Sequence, residues 1–126
     1  MSIDDLDWNE LQNATLKDAW YELEGAYEVY SIGRCRFVLV HCRMAMLIGF
    51  ALTARKKGFF LSEWEISALG QKLGMPEHLR DSCNAIDLAG RYRSFLGERS
   101  DDQEQAAYML SRSLEVFEWM RGEMNG

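Results

Sequence analysis

Proline occurs once in the 126 residues, at position 76. Proline and tight Asn-Gly or Asp-Gly turns punctuate hairpin-rich proteins, so their scarcity argues against an all-β fold. Cysteine is limited to three, and an odd number argues against a disulfide framework. Cys35, Cys42 and Cys83 each fall inside apolar segments and read as reduced, buried thiols of a cytoplasmic protein. The two histidines, His41 and His78, lie on different predicted helices, and neither Cys-x-x-Cys nor Glu-x-x-His occurs. Neither a structural zinc site nor a carboxylate-bridged di-metal centre is therefore expected, and the metal and cofactor expectation is none. Gly-rich phosphate loops and a Gly-x-Ser-x-Gly elbow are also missing. Basic residues are the minority, 14 against 20 acidic, for a net charge of −6. That balance disfavours general nucleic-acid binding as the main role and leaves room only for a local basic pocket. The longest apolar stretch, Cys42 to Ala54, ends at Arg55-Lys56-Lys57 and is too short to predict a bilayer crossing. The opening "MSIDDLDWNE" is acidic rather than a basic-then-apolar leader. The expectation is a soluble, cytoplasmic chain with no membrane contact.

Hydrophobic residues make up 48% and aromatics 12%, including four tryptophans, so the chain can bury a core as one domain. Residues 1–13 read as an acidic N-terminal segment and residues 14–126 as a single helical domain. Leu16, Trp20, Leu23, Tyr27 and Tyr30 share a 4-3-4-3 spacing that predicts an amphipathic helix over 14–31 with that face inward. Gly33 separates it from a helix over 34–57, which Gly58 closes after a basic last turn. Ser62-x-x-Glu65 predicts a capping box for a short helix carrying Ile66, Leu69 and Leu73, stopped by Gly74. Pro76 suits the first turn of a helix over about 76–97 that turns Leu79, Cys83, Ile86 and Ala89 inward. Ser100-x-x-Gln103 caps a last helix showing Met109, Leu110, Leu114, Phe117, Met120 and Met124. The expected architecture is all-α, an up-and-down bundle of about five helices.

The second helix is apolar on nearly every side. Arg34, Phe37, Val38, His41, Ala45, Ile48 and Leu52 share one face, and Arg36, Val40, Arg43, Leu47 and Phe50 most of the opposite one. Cys35, Cys42 and Gly49 form a stripe of small residues between them. Such a helix must be covered all round, and a small bundle covers about two sides. The remainder predicts a homodimer that approaches closely along the small stripe.

Within this helix, "GRCRFVLVHCR" (33–43) holds Arg36 and His41, the only pair with a chemical story. A histidine moves protons near neutral pH, and arginine stabilises charge developing on a phosphate. Together they could drive attack of an RNA 2′-hydroxyl on its own phosphate. Five residues apart on one helix they point about 140° from each other, so they would converge only across a dimer. Alternatively, His41 is a core histidine with one or two hydrogen bonds. Arg91, Tyr92 and Arg93 offer two guanidinium groups beside an aromatic ring, a combination that can clamp a phosphate and stack a base. The plainer alternative is that these arginines offset surface acids. Arg55-Lys56-Lys57 reads as a solvated helix end.

The order of these features resembles the prokaryotic HEPN domain: a spaced apolar first helix, "SIGRCR", a second helix with His41-x-x-x-Ala45, a short leucine helix, "RYR" at 91–93 and a capped last helix ending in "EVFEWM". The likeness runs from about residue 14 to the end. It implies a helical bundle that usually dimerises, and two kinds of function. One is a nucleotide- or RNA-binding partner of a separately encoded nucleotidyltransferase, often as a toxin–antitoxin pair, for which Arg91, Tyr92 and Arg93 are the ligand-binding candidates. The other is a metal-independent RNase toxin using Arg36 and His41 at the dimer interface. In the RNase group the Arg-to-His motif normally lies on a late helix, whereas here no histidine follows Arg91. A third reading is a non-catalytic helical interaction module.

Overall fold

Helix starts and stops follow the local chemistry of the chain. The computed structural model describes residues 15–58, 66–91 and 103–125. They form α1 (Leu16–Ser31), α2 (Cys35–Lys57), α3 (Ile66–Lys72), α4 (Glu77–Arg91) and α5 (Gln103–Asn125), with no strand among the described residues. The all-α bundle expected from the sequence is what the chain forms. Thr15 caps α1 through a capping box in which its backbone N–H donates to Asp18 Oδ2 at 2.7 Å. Gly58 ends α2 at φ +77° and Gly74 ends the α3 turn at φ +79°, conformations a side chain strongly disfavours. The expected boxes at Ser62 and Ser100, and any continuation of α4 over 92–97, lie outside the described residues.

α2 is the axis of the bundle. It touches α1, α4 and α5, and α5 also touches both α1 and α4, while α3 lies against α4. From Ala45 to Ala54 every residue of α2 is buried. The first half of α2 is less enclosed, with Phe37, Val40 and Met44 half-buried. The apolar helix is also longer than the Cys42–Ala54 stretch. Its 23 residues have the length and composition to cross a membrane, yet 78% of the most apolar window is buried inside the chain, as in a core helix.

α2 and α5 run parallel. Cys42 meets Ser113, Gly49 faces Met120, and Lys56 Nζ donates to the carbonyl oxygens of Glu123 (3.0 Å) and Met124. The small-residue stripe thus seats α5 within one chain. Parallel helices place their carbonyl ends side by side, which concentrates negative dipole charge at one end. Lys56 answers it, and Lys57 Nζ adds an ion pair to Glu123 at 3.1 Å. Lys56, expected to be merely solvated, caps a neighbouring helix.

The inward face of α1 also differs from the expected one. Ala19, Leu23 and Ala26 are the buried residues, whereas Trp20 and Tyr27 are 41% and 63% exposed. Alanines let the α1 backbone come close to α2, and a helix seated that deeply pushes its bulky flanking rings out to the margin.

A Cβ at Gly49 would overlap the Met120 sulfur. Gly49→Val should therefore cost about 2–3 kcal/mol in urea unfolding, as overpacking does. The cost should shrink when Met120→Ala is combined with it, a coupling that a double-mutant cycle reads directly.

Candidate functional site

Three successive residues of α2 address three different helices, because each step along a helix turns about 100°. His41 faces α1: its Nδ1 donates to Glu22 Oε2 at 2.8 Å, and its ring lies over Gly25, where a Cβ would sit 3.0 Å from it. Cys42 faces α5 and Ser113. Arg43 faces α4, where its Nε donates to Asp87 Oδ1 at 2.9 Å.

His41 is half-buried, with 34% of its side chain exposed against 31% for Glu22. An ionised carboxylate can only accept, so this contact places a proton on Nδ1. Nε2 has no hydrogen-bond partner among the described residues. A carboxylate-oriented imidazole of this kind can hold and pass a proton. Arg36 does not join it. Its side chain is exposed and its guanidinium lies 5.2 Å from the Phe37 ring centroid. Within one chain the two sequence candidates are therefore separate features. Arg91 is the last residue of α4, and its side chain, together with Tyr92 and Arg93, lies outside the described residues.

Glu22 and Asp87 are the partners that sequence reasoning missed. For Glu22 a signal existed. Counting outward from the turn at Gly33, Glu22 stands 11 residues before and His41 8 after, within about one turn of the same level in an antiparallel hairpin. Asp87 carried no comparable signal, since its level depends on the segments between α2 and α4.

The Arg43–Asp87 pair is structural. Its side chains are only 6% and 11% exposed, and Arg43 Nη2 is buried without a hydrogen-bond partner among the described residues. Near it, Cys83 Sγ lies 3.7 Å from Met75 Sδ. Burial pushes the Cys83 thiol up to about 12, and the Asp87 charge adds to the shift. Burial likewise pushes the Cys42 thiol up to about 11, opposed by a hydrogen bond with Ser113. Neither supplies a thiolate nucleophile near neutral pH. Among the described residues no three His, Cys, Asp or Glu side chains converge as a metal site.

Two concavities lie on the surface formed by the described residues. One is an open face between α4 and α5 of about 790 Å³, beside His78 and Ser111, where Arg112 pairs with Glu115 at 3.1 Å. The other is an apolar groove of about 340 Å³ between α1 and α5, floored by Leu23 and Leu110 and walled by Trp20, Tyr27 and Leu114. Trp20 also packs on Phe117, with ring centroids 5.6 Å apart. No protein family, curated protein or solved structure gives a match to this chain.

Two outcomes follow for the buried groups. Removing one partner of the ion pair, Arg43→Met or Asp87→Leu, should cost about 3–5 kcal/mol, and the double variant should cost less than the sum of the two. The thiols set a pH dependence. Their folded values lie above the ordinary 9.0, so the unfolded chain gives up these protons first as pH rises. The contribution is full below pH 9.0 and falls as pH climbs toward about 11 to 12, lowering the urea midpoint over that range.

Proposed function

We propose that this chain is a HEPN-like helical-bundle binding partner rather than an enzyme in its own right. It acts in the cytoplasm with a separately encoded nucleotidyltransferase, as in a toxin–antitoxin pair. The observation that carries the reading is the apolar groove between α1 and α5. Three large side chains, Trp20, Tyr27 and Leu114, stand 41%, 63% and 38% exposed around one trench. Clustered exposed aromatics of this kind are a mark of protein recognition surfaces. The nucleotide- or RNA-binding part of the proposal rests on Arg91, Tyr92 and Arg93 as sequence, and the homodimer on the all-round apolar character of α2 and on the resemblance.

A second reading, the metal-independent RNase, is favoured by one contact: Glu22 orients His41 and leaves Nε2 free to move a proton. In that reading Arg36 must come from a partner copy, because within one chain it lies over Phe37 instead.

The two readings separate by experiment. A binding partner should co-purify with a co-expressed nucleotidyltransferase from its own gene neighbourhood, and a neighbourhood encoding none would overturn it. Arg91→Ala combined with Arg93→Ala should then abolish the rise in melting temperature that added nucleotide produces, since only a ligand of the native state raises it. The RNase reading instead predicts metal-independent cleavage of single-stranded RNA that falls at least about a hundredfold in His41→Ala, the usual scale for loss of a general base.

A further inference from the structure

α1 and α5 run antiparallel along the groove, with Trp20 level with Phe117 and Tyr27 nearer Leu110. From Trp20 to Tyr27 the wall spans about 10 Å, or roughly two helical turns. An occupant helix could therefore place apolar residues there at positions i, i+3 or i+4, and i+7. On the α5 side the groove is lined by Leu110 and Leu114, and its charged residues come from α1. On α1, Glu24 and Glu28 line the groove one turn apart, and no basic side chain pairs with either among the described residues. An uncompensated carboxylate pair beside exposed aromatics attracts a cation-flanked ligand and repels an anionic one.

We infer that the groove takes an amphipathic helix of a partner protein, its apolar stripe bordered by Lys or Arg on the side that meets Glu24 and Glu28. This deepens the binding-partner reading and rests on it. Other occupants fit the rim less well. A second copy of this chain would bring another body of net charge −6 against the free carboxylates. The chain's own residues 1–14 carry Asp4, Asp5, Asp7 and Glu10 and no Lys or Arg, so they repel the same rim. A phosphate backbone meets the same repulsion.

The test uses the full chain and two helical peptides of about 18 residues with the same leucine stripe, one flanked by lysines and one by glutamates at identical positions. In isothermal titration calorimetry at low salt, the lysine peptide should bind about tenfold more tightly, with the margin narrowing as salt screens the rim. Glu24→Gln combined with Glu28→Gln should close the gap between the peptides. Leu114→Asp should weaken both about tenfold or more while far-UV circular dichroism stays unchanged. Equal affinity for the two peptides, or a preference that survives the double glutamine variant, overturns the inference. So does a dimeric sedimentation mass that Leu114→Asp returns to monomer, because the groove then belongs to a second copy. Failure here is distinct from failure of the broader reading. A nucleotidyltransferase that co-purifies and is lost on Leu114→Asp keeps that reading, even if the two peptides bind alike.

Discussion

Burying the apolar run of α2 within one small chain is the constraint from which the rest of the bundle follows. A helix apolar on nearly every face exposes a large hydrophobic surface wherever a neighbour is missing. Here α1, α5 and α4 take successive sides of it, and the unbroken buried run from Ala45 to Ala54 measures how complete the cover is. Close approach is made possible by small residues on both partners: Ala19 and Ala26 on α1, Cys42 and Gly49 on α2. The parallel course of α2 and α5 is a consequence, and so is the need for Lys56 and Lys57 at their shared carbonyl end.

Buried polar side chains of α2 and α5 find partners within the bundle. Arg43 in the interior is matched by Asp87, and the hydroxyls of Thr53 and Ser113 donate to carbonyls of their own helices, Gly49 and Met109, both at 2.7 Å. Such pairs add less to stability than to uniqueness of arrangement, because a wrong helix order would strand a buried charge. His41 and Glu22 sit at the half-buried margin of this scheme, where a proton-carrying side chain can be both oriented and reached by solvent. Structure and possible chemistry therefore share the same short stretch of α2.

The groove arises from that economy as well. Seating α1 through alanines leaves Trp20 and Tyr27 beside the seam with α5 rather than beneath it. Their exposure is the consequence of a close-packed hairpin, and it supplies a surface whose floor is apolar and whose α1 rim is acidic. One packing choice thus ties the core to the proposed recognition face.

By itself the sequence determined the helices and their order. Gly33, Gly58, Gly74 and Pro76 punctuate it, and apolar spacing at 3.6 residues marks the segments between them, since these are local signals set by neighbouring residues. It also marked α2 as the helix to be enclosed. Only the tertiary structure decided which helix lies along the Cys42–Gly49 stripe, and there it is the chain's own α5. The same holds for the face of α1, where spacing favoured the large rings and packing chose the alanines. The partner of His41 lies 19 residues away across one hairpin and could be counted from its turn, whereas that of Arg43 lies 44 residues away and depends on the rotation and register of whole helices, which no local pattern encodes.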